Sequence, residues 1–193
     1  MTAIAFTPLV KSCLDLTLKT SLVVLSNNDG CVVARSKEAK ALGIKMGVPY
    51  FQVKDFCKQN NVTVFSSNYA LYADMSHRVM STLESLCPTV EVYSIDEAFL
   101  YLADYPVAMQ DLDAYSKKIK QVVEMYTGIS VGVGIGETKT LAKLANYAAK
   151  KYPATKGTCV LTNPRWIRRL MQITDVAEVW GVGRRYAKRL NDM

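Results

Sequence analysis

Two adjacent carboxylates, Asp96 and Glu97, are the residues of this chain whose types and positions could do chemistry. They end an apolar strand pattern from Val90 to Ile95, and a second apolar run follows from Ala98 to Leu102. Carboxylates between hydrophobic runs are costly to bury unless a cation or hydrogen-bond donors neutralise them. Because Mg²⁺ is usually held by one or two carboxylates plus substrate phosphates, the pair predicts a metal site for phosphoryl transfer. A turn with two solvated acids is the alternative.

Alternating strands and helices must position these acids. The pattern predicts strands at 21–26, 31–34, 90–95, 98–102, 129–135 and 158–161, and helices at 36–42, 69–86, 111–126 and 138–151. Asn27-Asn28-Asp29-Gly30 is a strong turn signal between the first two strands, because Asn and Gly tolerate positive φ. Beyond residue 163 only short helices are predicted. The alternation therefore predicts an α+β fold with α/β-type alternation and a small helical appendix.

The composition is typical of a globular intracellular protein. The 193 residues are half hydrophobic, which gives one large or two small domains a real core and excludes a disordered chain. Five cysteines without a Cys-x-x-Cys pair and a single histidine indicate neither a zinc cluster nor a disulfide framework. No signal-peptide pattern and no membrane-spanning apolar run is found. We therefore expect a soluble, cytoplasmic protein.

The formal net charge of +7 is concentrated in the later part of the chain. Residues 1–136 carry 12 basic and 13 acidic side chains, whereas residues 137–193 carry 12 basic and 4 acidic ones. A nearly neutral N-terminal part and a basic C-terminal part predict a polyanion-binding surface on the C-terminal part, with nucleic acid as the first candidate. A well-solvated basic surface is the alternative.

The predicted helix after residue 137 carries a stripe of hydrogen-bond donors. Lys139, Lys143, Asn146 and Lys150 fall within about 60° of one another on a helical projection, and leucines and alanines occupy the opposite side. The three glycines at 132, 134 and 136 precede the helix and allow close backbone approach, and a helix N-terminus favours an anion. The pattern predicts contact with triphosphate or DNA phosphates. An amphipathic helix with solvated lysines is equally compatible with this pattern.

A second basic helix begins near the end of the chain. Gly181 and Gly183 form a tight turn before a helix that carries Arg184, Arg185 and Lys188. Free backbone N–H groups and positive charge at such a helix start can bind one phosphate. Helix-hairpin-helix elements bind a DNA backbone in this way without reading its sequence. A helix start with an exposed charged face is the alternative.

Seven segments together resemble the Y-family of translesion DNA polymerases, and within it the UmuC group. They are SNNDGCVVARS (26–36), EAKALG (38–43), FSSNY (65–69), YADMS (72–76), YSIDEAF (93–99), GVGIGETKTLAKLAN (132–146) and VWGVGRR (179–185). The resemblance implies a palm with a ferredoxin-like sheet, inserted fingers and a partial helical thumb that begins a helix-hairpin-helix. It places the fingers at 22–70, the palm at 71–161 and the thumb at 162–193, after a divergent N-terminus at 1–21.

The resemblance also implies an activity and residue roles. The activity is error-prone DNA synthesis past lesions in the SOS response, on primer–template DNA with deoxynucleoside triphosphates and Mg²⁺. Asp96 and Glu97 take the positions of two catalytic, metal-binding carboxylates. Arg35, Lys40 and Lys150 fall near positions that contact the phosphates of the incoming nucleotide. Whether a UmuD-like subunit also binds is left open.

The first 21 residues depart from the family pattern. In the family the first palm strand supplies a further aspartate, followed by an aromatic steric gate that rejects ribonucleotides. Alignment of Ser12-Cys13 with the family's Ser-Cys places Ala5 at the aspartate and Val10 at the gate. The one acid before Asp29 is Asp15, too late in the chain to line the site. We therefore expect an incomplete first strand that leaves an edge or a gap in the sheet.

These departures lead to the functional expectation. Two-metal phosphoryl transfer needs ligands that hold both ions about 3.5–4 Å apart, and two carboxylates do not easily replace a third. The chain also ends within the thumb, without the little finger of the family. We expect a UmuC-like polymerase fragment that binds DNA and is impaired in catalysis. A non-catalytic DNA- or partner-binding relic that competes with an intact polymerase is the alternative.

Overall fold

The chain divides into two compact units, one of residues 8–76 and one of residues 1–7 together with 77–193. The computed structural model describes residues 2–6, 21–103, 105 and 111–193, with backbone alone for residues 2–6 and for Lys37. Val10 and Asp15, which the sequence alignment singles out, lie outside these ranges. No helix within these ranges is long and apolar enough to cross a membrane.

Strands and helices alternate along both units. The strands are β1 (Thr2–Phe6), β2 (Leu22–Leu25), β3 (Val32–Arg35), β4 (Thr63–Ser66), β5 (Val90–Ser94), β6 (Glu97–Leu100), β7 (Val131–Gly136) and β8 (Thr158–Leu161). The α-helices are α1 (Lys37–Ala41), α2 (Tyr50–Gln59), α3 (Tyr69–Leu86), α4 (Leu112–Thr127), α5 (Lys139–Lys151), α6 (Pro164–Ile173) and α7 (Arg184–Asn191). The predicted α+β class is confirmed.

The unit of residues 8–76 contains a three-stranded sheet in the order β3-β2-β4. Strand β2 is antiparallel to β3 and parallel to β4. The predicted turn joins β2 to β3, with Gly30 at a φ of +65° and with the carboxylate of Asp29 accepting a 3.0 Å hydrogen bond from the N–H of Cys31. Helix α1 begins after Ser36, whose hydroxyl oxygen accepts from the N–H of Ala39 at 3.1 Å.

Two elements of this unit are missing from the sequence prediction. Helix α2 packs Tyr50, Val53 and Cys57 against the core of this unit, and their spacing of three and four residues is a helical pattern that the sequence analysis did not use. Strand β4 is only partly buried, and its partner β2 lies about 40 residues earlier in the chain. The strand therefore depends on tertiary contacts more than on local pattern.

The larger unit is built on a five-stranded sheet in the order β5-β6-β1-β7-β8. Strand β1 occupies the centre and is antiparallel to β6 on one side and to β7 on the other. The expectation of a gap or an open edge at this place is therefore wrong. Ladder hydrogen bonds come from the backbone, so Thr2–Phe6 can complete the sheet without the side chains that the family pattern has there.

Helix α5 packs on β7 with its backbone in direct contact with the strand. A Cβ atom at Gly134 would lie 2.1 Å from the backbone nitrogen of Asn146 and 2.5 Å from the carbonyl oxygen of Ala142. A Cβ atom at Gly136 would lie 2.7 Å from the backbone nitrogen of Ala142. The close approach predicted for these glycines is therefore an approach to the helix α5, whose first turn is capped by Thr138.

Asn146 corrects the predicted donor stripe of α5. Its side chain is only 4% exposed, and its Nδ2 donates a 2.6 Å hydrogen bond to the carbonyl oxygen of Gly132. Asn146 therefore faces the sheet, where it joins the helix to β7. The projection misplaced it because the helix lies so close to the strand that its polar side is also partly covered.

The first turn of α5 is joined to β5 by a second polar contact. The Nζ of Lys139 donates to both carboxylate oxygens of Glu91, at 2.5 and 2.6 Å, and the hydroxyl of Tyr101 donates to Glu91 at 2.5 Å. The hydrogen bond from Lys139, and then that from Tyr101, lowers the pKa of Glu91 below its ordinary value. The same contact raises the pKa of Lys139.

The glycine contact can be tested by adding one methyl group. Gly134→Ala should lower the free energy of unfolding by about 3 kcal/mol, because its Cβ would overlap backbone atoms that cannot move independently. Chemical denaturation measures this difference. Gly132→Ala is the matched control on the same strand face, since the nearest atoms to its Cβ would be side-chain atoms, the Cγ of Lys150 at 3.3 Å and the Nδ2 of Asn146 at 3.5 Å, and no backbone atom. Equal losses in the two variants would contradict the backbone contact.

The contact between Lys139 and Glu91 predicts a pH dependence of stability. The lowered pKa of Glu91 means that its contribution is present above pH 4.5 and is lost as the pH falls through the folded-state pKa. Lys139→Met should therefore lower the melting temperature at neutral pH, and the difference from the parent chain should shrink in acid. In a Glu91→Gln background the same substitution should have little effect. An undiminished effect there would show that Lys139 stabilises the fold through other contacts.

Candidate metal and phosphate-binding site

The acid pair lies at the tip of the β5–β6 hairpin. Residues Ile95 and Asp96 form the two-residue turn, and Ser94 and Glu97 pair across it. The hydroxyl of Ser94 donates a 2.6 Å hydrogen bond to a carboxylate oxygen of Asp96 and accepts one from its N–H at 3.3 Å. Both acids are half-buried, so the hairpin holds two carboxylates at the edge of solvent.

Glu97 is paired with a lysine of helix α5. The Nζ of Lys143 lies 2.5 Å from a carboxylate oxygen of Glu97, and their side chains are only 15% and 23% exposed. The same ammonium lies 6.0 Å from the ring centre of Tyr93 and 5.9 Å from that of Trp180. Ring faces attract cations at such distances. Lys143 is thus held between one carboxylate and two aromatic rings.

The spacing of the helix explains why two lysines meet two acids. Lys139 and Lys143 are one turn apart, which is about 6 Å along a helix. Glu91 pairs in register with Phe99, two residues from Glu97 on β6. Two residues span roughly 6.6 Å of strand, so each ammonium reaches one carboxylate. The sequence analysis found both lysines and assigned them to phosphates, but the structure pairs both with carboxylates.

Lys150 belongs to the same electrostatic group. A Cβ atom at Gly132 would lie 3.3 Å from the Cγ of Lys150, so the side-chain stem runs along β7. Burial of the amine lowers the pKa of Lys150, and Glu97 and Asp96 oppose that shift while Lys143 adds to it. Although part of the side chain is exposed, its charged end is thus within electrostatic reach of the acids. Two carboxylates are matched by two ammonium groups.

Ala5, at which the sequence alignment expects a further carboxylate, lies on β1. Ala5 is the register partner of Glu97 on one side and of Gly132 on the other. The described ranges contain no group of three or more Asp, Glu, His or Cys side chains that could hold a metal ion. Asp96 and Glu97 provide oxygen ligands that suit one divalent cation. The residues present do not fit a pair of ions bridged by a third carboxylate.

Arg35 and Lys40 lie in the other unit. The guanidinium of Arg35 donates from Nη1 to the carbonyl oxygen of Ile44, while its Nε is buried without a hydrogen-bond partner in the described part of the chain. Lys40 is exposed on α1. Arg35 therefore keeps unused donor capacity, whereas Lys40 is free to reach a charged group in solvent.

The basic helix at the end of the chain is present as predicted. Gly181 has a φ of +89°, and Gly183 is the N-terminal cap of α7, whose first turn has no side-chain cap. Arg184, Arg185 and Lys188 are exposed. The backbone N–H groups of the first turn and the two arginines therefore face solvent together.

An aromatic contact that the sequence analysis did not foresee joins this segment to the acid hairpin. The ring centre of Trp180 lies 5.6 Å from that of Tyr93 and 5.9 Å from that of Phe99. Tyr93 and Phe99 flank the acid pair in the sequence. Aromatic residues on both sides of a polar motif were the signal from which an aromatic contact could have been predicted. The contact fixes the start of the basic segment beside Lys143.

Known proteins resemble this chain in sequence over most of its length. The model of the impB/mucB/samB family matches residues 5–147. Protein UmuC of Salmonella typhimurium is 54% identical over 171 residues, which is 88% of this chain and 40% of that protein. DNA polymerase IV 2 of Mycobacterium bovis is 35% identical over 159 residues, covering 82% of this chain and 43% of that protein. The chain thus spans about two fifths of the length of these relatives.

Solved structures resemble it over its whole length. A post-insertion binary complex of the Dbh DNA polymerase matches with a TM-score of 0.82 at 27% identity, covering 99% of this chain and 56% of that one. The crystal structure of DinB from Sulfolobus solfataricus matches with a TM-score of 0.80, also at 27% identity and with the same coverage. These findings confirm the resemblance inferred from the motifs and the fold that it implied. The chain belongs to the impB/mucB/samB family, and its fold is that of the Y-family DNA polymerases.

Proposed function

We propose that this chain is a UmuC-like translesion polymerase fragment that binds primer–template DNA and a deoxynucleoside triphosphate with Mg²⁺, and that it is impaired in catalysis. The observation that carries the proposal is the register of β1, which places Ala5 beside Glu97 where a further carboxylate would complete a two-ion site. From the UmuC resemblance the proposal includes error-prone repair in the SOS response, a cytoplasmic location and a UmuD-like subunit as a partner.

The proposed regions are those that the resemblance implies. Residues 22–70 serve as fingers, residues 71–161 as palm and residues 162–193 as the start of the thumb, after a divergent N-terminus at 1–21. Two features support nucleotide binding. The buried Nε of Arg35 lacks a hydrogen-bond partner among the described residues, and the burial that lowers the pKa of Lys150 would be offset by an anion. Phosphate oxygens would supply an acceptor for the Nε of Arg35 and negative charge for Lys150, and the resemblance adds Lys40 as a further phosphate contact.

Binding and catalysis make different demands on this site. Asp96 and Glu97 can hold one divalent ion against the phosphates of a nucleotide, which lowers the repulsion between carboxylates and phosphates. Nucleotidyl transfer needs a second ion at the attacking oxygen, and the part of the chain that the structure describes contains no group of three metal ligands that would hold it beside the first. We therefore assign binding to the acid pair and derive no transfer step.

Binding to DNA rests on the basic surface of the later part of the chain. Gly181, Gly183, Arg184, Arg185 and Lys188 present backbone N–H groups and three cations to one phosphate. Lys139 and Lys143 are the further candidates of the sequence analysis, although both are paired with carboxylates. A non-catalytic relic that competes for DNA is the second candidate, and the same alanine at position 5 favours it.

The proposal is tested by restoring the carboxylate. Ala5→Asp should tighten Mn²⁺ binding by about tenfold, because it adds a charged oxygen ligand beside Glu97. It should also produce primer extension that Asp96→Ala abolishes. The parent chain should show no extension above that of its own Asp96→Ala variant. Isothermal titration calorimetry measures the first effect and a gel assay with all four deoxynucleotides measures the second.

Ala5→Asn is the matched control for size and polarity. It adds a side chain of nearly the same volume without the charge, so it should change Mn²⁺ affinity by less than about twofold. Asp96-dependent extension by the parent chain would contradict impaired catalysis. Mn²⁺ binding that survives both Asp96→Ala and Glu97→Ala would remove the metal-site assignment.

The DNA-binding assignment predicts a change in salt dependence. The double variant Arg184→Glu/Arg185→Glu should weaken binding to duplexes of different sequence by similar factors. It should also flatten the slope of log affinity against log salt by roughly one unit, because the contact with one phosphate is lost. Fluorescence anisotropy over a salt series measures both effects.

Two exposed lysines of α4 give a control with the same change in charge. Lys117→Glu/Lys118→Glu should leave the salt slope close to that of the parent chain. If the two double variants lost affinity equally, net charge and not the α7 surface would account for the binding.

A further inference from the structure

Two lysine side chains of this chain already balance the charge of the acid pair. Asp96 and Glu97 carry two negative charges, and Lys143 and Lys150 bring two positive charges to the same place. Half-buried carboxylates need such compensation, which in this fold a divalent ion could also supply. Without a third carboxylate, the site has no surplus negative charge to balance both the lysines and a divalent ion.

Lys143 makes the specific contact with the acid pair. Its Nζ donates a charge-assisted hydrogen bond to a carboxylate oxygen of Glu97. A divalent ion that used the same oxygen would lie close to the ammonium, and the two charges would repel each other. Either the lysine or the ion can contact this oxygen.

The surroundings of Lys143 give it a second place for its charge. The ring centres of Tyr93 and Trp180 lie 6.0 and 5.9 Å from the Nζ, so the ammonium can leave Glu97 and stay against aromatic faces. Trp180 belongs to the segment that leads into α7. Displacement of Lys143 would therefore strengthen its contact with that segment.

We propose that Lys143 is a built-in counter-ion of Glu97 that competes with a divalent cation for the acid pair. The inference rests on the proposed function in that it takes Asp96 and Glu97 as the cation site. It adds that this chain keeps its acid pair neutral without metal and binds a divalent ion only by displacing the lysine from Glu97.

Helix α5 offers a matched control for the test. Lys139 lies one turn before Lys143, pairs with Glu91 through contacts of 2.5 and 2.6 Å, and also lies over a ring, that of Phe99, at 5.0 Å. Lys139→Met and Lys143→Met change the net charge equally and both keep an unbranched stem. Their difference therefore reports contact with the acid pair and not the overall field of the protein.

The experiment measures Mn²⁺ binding by electron paramagnetic resonance of the free ion at fixed ionic strength. Lys143→Met should bind Mn²⁺ about tenfold more tightly than the parent chain, because it removes a competing charge-assisted contact. Lys143→Arg, which keeps the charge, and Lys139→Met should stay within about twofold of the parent. An unchanged Mn²⁺ affinity in Lys143→Met, or an equal gain in Lys139→Met, would overturn the inference.

A double-mutant cycle without metal tests the contact between Lys143 and Glu97 independently. The cycle of Lys143→Met and Glu97→Gln, measured by chemical denaturation, should show coupling between the two side chains, and zero coupling would overturn the inference. Failure of the proposed function has a different signature, namely Mn²⁺ binding that does not depend on Asp96 in any variant. Failure of the inference alone leaves Asp96-dependent binding that Lys143→Met does not change.

Discussion

The direct contact between the backbone of helix α5 and strand β7 is the constraint on which the rest of the site depends. Gly134 leaves no room for a side chain, since a Cβ atom there would lie 2.1 Å from the nitrogen of Asn146. Because the helix lies so close, the side chains at its edge reach over the neighbouring strands. Lys139 and Lys143 can then contact carboxylates on β5 and β6. Side chains at these glycines would hold the helix farther from the sheet and move both lysines away from these carboxylates.

The charges of the carboxylates on the β5–β6 hairpin are compensated within the chain. Each carboxylate on the α5 side of the β5–β6 hairpin has a cationic or hydroxyl partner, as with Glu91, Asp96 and Glu97. Lys150 is drawn into the same group although burial disfavours its charged form. A neutral cluster of this kind stabilises the fold in the absence of ligand. It also means that a divalent ion at Glu97 would compete with a side chain that is already paired.

Strand β1 shows that the scaffold and the chemistry are separable in this fold. The strand is central and paired on both sides, and yet the position beside Glu97 is an alanine. Backbone hydrogen bonds and a compatible register are enough to complete the sheet, whereas metal ligation needs a particular side chain. A strand can therefore keep its place in the sheet while the side chain at one of its positions changes.

The sequence by itself determined the elements that have a strong local pattern and the family to which they belong. The turn at 27–30, the long helix Tyr69–Leu86 and the hairpin that carries Asp96 follow from apolar periodicity and turn residues over a few positions. The motifs around the acid pair and around α5 were specific enough to identify the family. Tertiary structure decided what those patterns do not contain. It placed Thr2–Phe6 at the centre of the sheet, buried Asn146 and joined Lys143 to Glu97 across 46 residues. These contacts depend on strand register and on the distance between helix and sheet, and both are set only when distant segments pack together.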